Sequence, residues 1–262
     1  MYSYLLLFLL VAACGAGESK HPSENSSRSA QQPLLDSTEL ILTKSELLGQ
    51  IEPAQDSGFV RIDTAYTDKE AIYLRKPTYE AFVRMTQAAA ADGIDLQIIS
   101  ATRNFAAQKR IWEAKWNGQR KVDGQDLSQT IANPEERALK ILEYSSMPGT
   151  SRHHWGTDLD LNALENSYFE SGEGKRVYDW LQKNASTYGF CQVYTEQNED
   201  RPYGYQEEKW HWSYLPLASQ FLDQYNEKVN YDDLGSFDGG QVAKEIDAIE
   251  KYVNGIAPSC RE

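Results

Sequence analysis

Two short stretches of this chain, residues 151–160 and 208–212, concentrate the side chains that bind metal ions. The chain has 4 histidines, and three of them lie in these stretches, as His153, His154 and His211. Together the stretches offer two histidines and an aspartate as possible metal ligands, and they contain one further glutamate. Three such protein groups, with one coordination position left for water, make a catalytic zinc site. Any fold of this chain therefore has to bring the two distant stretches together.

The spacing in the first stretch predicts a loop that ends in a strand. His153 and Asp160 are separated by Gly156, which permits a sharp bend that a helix would not contain. Leucines alternate with acidic residues around Asp160, as expected for a strand. His211 lies on a second predicted strand, where alternation places the two flanking tryptophans on the opposite face.

The remaining pattern predicts helices interspersed with short strands, without regular alternation of the two. This arrangement is typical of the α+β class, and we expect a small antiparallel sheet that carries the zinc site, with helices around it. Asn104 and Asn133 are predicted helix caps, because their side chains can accept from the free N–H groups of a first turn. The predicted strands are 59–62, 96–99, 158–161, 190–194 and 210–214, and the predicted helices are 45–50, 77–92, 105–116, 134–144, 175–188, 216–226 and 240–253.

Three motifs that occur in order resemble those of the D-alanyl-D-alanine carboxypeptidase family of zinc peptidases. This family includes the vancomycin-resistance-type D,D-carboxypeptidases and related L,D-carboxypeptidases. The resemblance spans residues 40–222, and three motifs together are far more specific than any one alone. The motifs are Ser100-x-x-Arg103-x-x-x-x-Gln108, Ser151-x-His153-x-x-Gly156-x-x-x-Asp160 and Glu208-x-Trp210-His211.

The resemblance implies a role for each residue of the metal site. His153, Asp160 and His211 would hold Zn²⁺, and Glu208 would be the general base. Glu208 would take a proton from the attacking water and later pass it to the leaving amine. Zinc would lower the pKa of that water from about 15.7 towards 7.

The resemblance also implies roles around the metal site. Arg103 would stabilise the developing oxyanion, because a guanidinium is always charged, and Ser151 and Gln108 would position the substrate. His154 is interpreted as a packing or hydrogen-bonding residue. Asp158 departs from the family pattern, which usually has a small residue at this position. We expect Asp158 to hydrogen-bond close to the site rather than to bind the metal.

Together with the export signal, the resemblance implies a D,D-carboxypeptidase that removes the terminal D-alanine from peptidoglycan stem peptides. The motifs do not separate this activity from that of an L,D-carboxypeptidase, a D,D-dipeptidase or a wall endopeptidase. An alternative from another class is a non-catalytic cell-wall-binding lipoprotein. Such a protein would be expected to have lost the base or a ligand, whereas all four groups are present.

The N-terminal residues predict export. Residues 1–13 carry no charged side chain and have the length of a signal peptide, with an apolar run at residues 5–13. Residues 11–14 resemble a bacterial lipobox in which Cys14 is acylated. A plain secretory signal with a chance cysteine is the alternative. Residues 14–38 predict a flexible tether, and residues 39–262 a zinc peptidase domain with a C-terminal helical extension. We therefore expect a membrane-anchored, periplasmic or extracytoplasmic bacterial lipoprotein.

Charge and cysteine content add two expectations. The chain has 39 acidic against 26 basic residues and a net charge of −13, which argues against nucleic-acid binding. The expected partners are a peptidoglycan peptide and, through the lipid, a membrane, and the chain itself is expected to be a monomer. In an exported protein Cys191 and Cys260 could form a disulfide, although two free thiols are equally compatible with the sequence.

Overall fold

Helices and short strands follow one another irregularly along residues 40–261, which are the residues that the computed structural model describes. The predicted signal peptide (1–13), the predicted acylation site Cys14 and the predicted tether (14–38) lie outside the described residues. The predicted α+β class is confirmed. The strands are β1 (Phe59–Arg61), β2 (Tyr73–Arg75), β3 (Ile98–Ser100), β4 (Asp158–Leu161), β5 (Phe190–Gln192) and β6 (His211–Tyr214). The helices are α1 (Lys44–Leu47), α2 (Lys76–Ala91), α3 (Phe105–Trp116), α4 (Leu127–Thr130), α5 (Pro134–Ile141), α6 (Gly172–Asn184) and α7 (Leu215–Lys228).

A four-stranded antiparallel sheet in the order β3-β4-β6-β5 forms the frame of the fold. Strands β1 and β2 form a separate antiparallel pair. The central strands are in a register that places Asp160 opposite His211 and Asp158 opposite Ser213. Residues directly opposite each other in an antiparallel pair have side chains on the same face. The register therefore brings an acid from the first stretch beside the histidine of the second.

The two faces of β4 have different surroundings. Leu159 and Leu161 pack into a hydrophobic core together with Phe82 of α2 and Leu181 of α6. Each fully buried side chain of this kind contributes about 1.5–3 kcal/mol. Because side chains alternate along a strand, Asp158 and Asp160 point the other way. A second core, which includes Trp112 of α3, lies between α3, α5, α7 and the C-terminal segment.

The helix caps predicted from sequence are confirmed where they matter for the site. The side chain of Asn104 accepts from the backbone N–H of Ala107 at 2.9 Å, so α3 begins at Phe105, within the first motif. Asn133 accepts from Glu135 and Glu136, and α5 then starts at Pro134. Within residues 40–261, no helix is both long enough and apolar enough to cross a membrane.

The predicted C-terminal helix at 240–253 is wrong. This segment contains a 3-10 turn at Gly240–Val242 and a π-helical turn at Ile249–Val253 in place of a continuous α-helix. Asp247 lies between them with a φ of 54°, in the left-handed region that an α-helix cannot accommodate. Several of its apolar side chains nevertheless belong to the second core. The C-terminal extension therefore packs against the domain as a series of turns.

A disulfide joins Cys191 of β5 to Cys260, which ends a short 3-10 turn at Pro258–Cys260. Their Cα atoms are 5.6 Å apart and the two residues are separated by 69 positions in the chain. Just before this turn, the backbone N–H of Ala257 donates to the carbonyl of Val193 at 2.8 Å. Of the two possibilities that the sequence left open, the structure has the paired cysteines.

Candidate metal centre and active site

Three buried side chains converge on one point between the loop and the two central strands. His153, Asp160 and His211 each offer a ligand atom, and these atoms lie within 4.8 Å of one another. His153 Nε2 is 3.5 Å from Asp160 Oδ2, and His211 Nδ1 is 3.6 Å from Asp160 Oδ1. These are the three residues that the sequence analysis proposed as ligands, and this cluster could hold a metal ion.

His153 is presented by a tight local turn. It lies in a 3-10 turn at Arg152–Trp155 that ends at Gly156, whose φ is 72°. A Cβ atom at Gly156 would come within 2.5 Å of the Phe59 ring, so both the backbone angle and the packing require glycine. The imidazole Nδ1 of His153 donates to the carbonyl of Ala101 at 2.8 Å, because a carbonyl can only accept. Its Nε2 is thereby left as an acceptor directed at Asp160.

The unpartnered polar atoms of this cluster fit a bound cation. His153 Nε2 and Asp160 Oδ1 are buried and have no hydrogen-bond partner among the described residues. Buried polar atoms without a partner are rare and call for an explanation such as a bound ion. Burial alone would raise the pKa of Asp160, but His153 and His211 lower it to about 2. The carboxylate is therefore ionised at neutral pH, as a metal ligand must be.

Both ring nitrogens of His211 face carboxylates. Its Nε2 is 2.9 Å from Asp158 Oδ2, and its Nδ1 is 3.0 Å from Glu208 Oε2. Burial by itself would lower the pKa of His211, but the hydrogen bonds to Asp158 and Glu208 raise it to about 10. Asp158 holds the Nε2 side of the ring, so Nδ1 is the nitrogen that faces Asp160 and the candidate metal position.

Asp158 is the centre of a buried polar network behind His211. Its carboxylate accepts from Arg152 Nε at 3.1 Å, from Ser213 Oγ at 2.6 Å and from Thr157 Oγ1 at 2.7 Å. Burial would raise the pKa of Asp158, but the Arg152 guanidinium and His211 hold it well below its usual range. Asp158 therefore hydrogen-bonds to a proposed ligand without joining the metal cluster. Arg152 was not singled out from the sequence, although a buried acid at a position usually occupied by a small residue calls for a nearby cation.

Glu208 is buried beside the metal cluster, just before β6. Its backbone N–H donates to the carbonyl of Tyr194 at 2.9 Å, which fixes this segment against the residues that follow β5. Burial raises the pKa of the Glu208 carboxyl, and the hydrogen bond with His211 opposes that rise. The residue is 6 % exposed, so it is not an ordinary surface acid.

A cavity of about 460 Å³ opens onto this cluster. Arg103 lines it, and the backbone of Arg103 is held in place from two sides: its N–H donates to His153 O at 3.1 Å, and its carbonyl accepts from His154 Nδ1 at 2.6 Å. Burial lowers the pKa of His154 to about 3, so this histidine is a neutral hydrogen-bonding residue. The lining includes His153, Asp160, His211, Glu208, Arg103, Lys115, Tyr144 and Trp210.

Ser151 and Gln108 are buried residues close in sequence to residues that line the cavity. Gln108 is fully buried, and its amide donates to the carbonyl of Ser146 at 2.7 Å, which supports the loop before the second motif. Ser151 is 1 % exposed, and its hydroxyl has no partner among the described residues. Neither residue belongs to the cavity lining. Their role in positioning the substrate stays a prediction.

The family model for VanY, D-alanyl-D-alanine carboxypeptidase, matches residues 71–217. The match covers more than half of the chain and contains all three motifs together with the metal cluster and Glu208. The chain belongs to the VanY family. It is therefore a peptidase of the VanY carboxypeptidase type, and the α+β fold described above is the fold of a VanY-type domain.

Individual proteins resemble this VanY-family chain at lower levels of identity. YodJ of Bacillus subtilis (strain 168), which is named as a carboxypeptidase, is 28% identical over 207 residues, covering 72% of this chain and 67% of YodJ. The structure of the LD-carboxypeptidase LdcB has 22% identity and a TM-score of 0.48, and the match covers 75% of this chain and 79% of LdcB. A variant of the vancomycin-resistance D,D-pentapeptidase VanY from a VanB-type cassette, solved in complex with Zn(II), has 23% identity and a TM-score of 0.46, with 68% of this chain and 93% of that chain covered.

Proposed function

We propose that this chain is a zinc-dependent D,D-carboxypeptidase that removes the terminal D-alanine from peptidoglycan stem peptides. The observation that carries the proposal is the buried convergence of His153, Asp160 and His211 in the cavity that Glu208 and Arg103 also line. Membership of the VanY family supports the reaction class. The lipobox-like sequence before Cys14 supports a substrate outside the cytoplasm.

The metal cluster has the ligand atoms that zinc prefers. His153 Nε2, a carboxylate oxygen of Asp160 and His211 Nδ1 would hold the ion, and two histidines with one carboxylate are a common catalytic zinc set. When bound, zinc would polarise the scissile carbonyl and lower the pKa of the attacking water.

Glu208 would carry the proton during hydrolysis. Its carboxylate accepts a proton from the attacking water, and the water oxygen becomes part of the new carboxylate of the shortened peptide. Glu208 then gives the proton to the nitrogen of the leaving D-alanine as the peptide bond breaks. The burial that raises the pKa of Glu208 stabilises its protonated form between the two transfers.

Arg103 would stabilise the carbonyl oxygen as it gains negative charge. Its Nε is buried and has no partner among the described residues, so at least one guanidinium N–H is unused by the protein in residues 40–261. The guanidinium stays charged through the reaction and can donate to the developing oxyanion. His153 and His154 fix the backbone of Arg103, so the Cα atom from which the side chain extends has a defined position.

The test is mass spectrometry of pentapeptide and tetrapeptide muropeptides incubated with the purified chain. We expect the pentapeptide to lose one alanine, the reaction to stop with a metal chelator, and activity to return on addition of zinc. The variant Glu208→Ala should keep its zinc but lose at least about 100-fold in rate, because it lacks the base. Glu207→Ala, which alters the neighbouring acid outside the cavity lining, is the matched control and should remain active.

Other outcomes would change the assignment in defined ways. Cleavage of the tetrapeptide alone, to tripeptide, would replace the D,D-carboxypeptidase by an L,D-carboxypeptidase. Intact peptides in a zinc-loaded sample would contradict the carboxypeptidase proposal and favour an endopeptidase or a wall-binding protein. Full activity of Glu208→Ala would refute the base assignment.

A further inference from the structure

A lysine that forms no ion pair with a carboxylate of residues 40–261 faces the cavity. Lys115 lies near the end of α3, and it lines the cavity together with Ile111, one helical turn earlier on the same face. Among residues 40–261, the side-chain partner of its ammonium is the hydroxyl of Ser145, which also lines the cavity. The contrast with Lys109 on the same helix is clear, since Lys109 Nζ is 2.9 Å from Glu113 Oε1.

The surroundings of Lys115 are cationic. Arg103 and Arg120 line the same cavity, and both act on Lys115 through their charges. Burial lowers the pKa of Lys115 to about 8, Arg120 and Arg103 lower it as well, and Glu208 and Asp123 oppose the shift. Lys115 is partly buried, and the like charges of Arg103 and Arg120 disfavour its charged form in the free protein. An anion in the cavity would relieve this repulsion.

We propose that Lys115, with Arg120 and Ser145 beside it, forms a subsite for a carboxylate group of the peptide substrate. The Lys115 ammonium would donate charge-assisted hydrogen bonds to the carboxylate. The Ser145 oxygen accepts from Lys115, which leaves the hydroxyl hydrogen free to donate to the same ligand. The identity of the ligand rests on the proposed function, because a stem peptide offers two kinds of carboxylate: its C-terminus and the free carboxyl of an internal acidic residue.

The variants Lys115→Met and Lys115→Arg test the subsite, with Lys109→Met as the matched control. Lys109→Met removes one cation from the same helix outside the cavity lining. The probes are a stem pentapeptide ending in D-Ala-D-Ala, its C-terminal amide, and the same pentapeptide with its internal carboxyl amidated. Kinetics give kcat and KM, and calorimetry on the zinc-loaded proteins that also carry Glu208→Ala gives the affinity for each peptide without cleavage.

We expect Lys115→Met to raise KM and the dissociation constant about tenfold or more, with little change in kcat. Lys115→Arg keeps the charge and should recover most of the affinity, and Lys109→Met should behave as the native chain. Amidation of the recognised carboxyl should abolish the difference between the native chain and Lys115→Met. The amide that does so identifies whether the terminal or the internal carboxylate occupies the subsite.

The affinity of the native chain should also depend on pH in a defined direction. Lys115 loses its proton as the pH rises through about 8, whereas peptide carboxylates stay ionised. Binding of the pentapeptide should therefore weaken above pH 8 in the native chain. In Lys115→Met this part of the pH dependence should be missing, although Glu208, Arg103, Arg120 and Asp123 remain around the position.

The outcomes for the subsite and for the proposed function are distinguishable. Cleavage of the pentapeptide with unchanged KM in Lys115→Met would overturn the subsite and leave the function intact. Binding without cleavage, weakened by Lys115→Met, would support the subsite and overturn the function. A tenfold loss that appears equally with all three peptides would mean that no carboxylate is recognised, and it would overturn the subsite. Absence of any peptide binding would overturn both.

Discussion

At the scale of single residues, the site divides into ligands that the sequence could predict and supporting groups that it could not. His153, Asp160 and His211 were predictable because their order and spacing form motifs. Arg152 was not, because its partner Asp158 lies six residues away across the turn, and only the folded turn places the guanidinium on the carboxylate. Lys115 likewise carries no motif, and its position in the cavity depends on how α3 packs.

Asp158→Asn should weaken metal binding. The carboxylate fixes the Nε2 side of His211, and loss of such an outer hydrogen bond typically lowers metal affinity by about 10–100-fold. The measurement is zinc affinity by competition with a chromophoric chelator, accompanied by the unfolding midpoint, because Arg152 would also lose its charged partner.

Asp179→Asn, which alters an exposed acid of α6 that pairs with Lys175, is the control and should leave zinc affinity unchanged. An Asp158→Asn protein that is less stable but binds zinc as tightly as the native chain would mean that Asp158 only supports the fold.

At the scale of elements, capping residues predicted where helices begin. The conformation of the C-terminal segment and the register of the strands depend instead on contacts between residues far apart in the chain. Asn104 and Asn133 act on the next few residues, so the beginnings of α3 and α5 follow from sequence. The 240–253 segment has helical composition, but the positive φ of Asp247 and the packing into the core interrupt it. The register that pairs Asp160 with His211 joins strands far apart in the chain, and the motifs alone did not specify it.

Gly156→Ala should destabilise the turn that presents His153. Gly156 has a φ of 72°, and an added Cβ would lie 2.5 Å from the ring of Phe59. The backbone angle costs about 1–2 kcal/mol and overpacking about 1–3 kcal/mol more, giving about 2–5 kcal/mol in the free energy of unfolding. Urea denaturation measures this loss.

Gly93→Ala is the matched control, because Gly93 has a φ of 73° and nothing within 4 Å of an added Cβ. It should lose only the backbone contribution, about 1–2 kcal/mol. Equal losses for the two variants would show that crowding against Phe59 contributes nothing.

At the scale of the whole molecule, the C-terminal extension is fastened to the sheet by the disulfide. The sequence offered the Cys191–Cys260 pair, but whether two thiols come within bonding distance depends on the folded path of 69 residues. The extension also contributes apolar side chains to the second core, so it is part of the folded domain.

Replacing both cysteines with alanine should lower stability by about 4 kcal/mol on the loop-entropy model, because the unfolded chain gains freedom. Urea unfolding of the oxidised native chain and of Cys191→Ala/Cys260→Ala gives the difference, and a thiol assay on the unfolded native chain verifies the bond. Free thiols in the native chain, or an unchanged midpoint in the double variant, would contradict the structural assignment.

The position of the disulfide affects whether two molecules of this protein can pair through the edges of their sheets. Strand β5 is at the end of the β3-β4-β6-β5 sheet, and an uncovered edge strand is a template for pairing with another chain. The Ala257–Val193 hydrogen bond and the Cys191–Cys260 link hold the C-terminal turn against this edge. The C-terminal turn therefore blocks β5 from pairing with a strand of another molecule. In a reducing compartment the covalent link would be lost, and only the Ala257–Val193 hydrogen bond and the apolar packing of the extension would keep the edge of β5 covered.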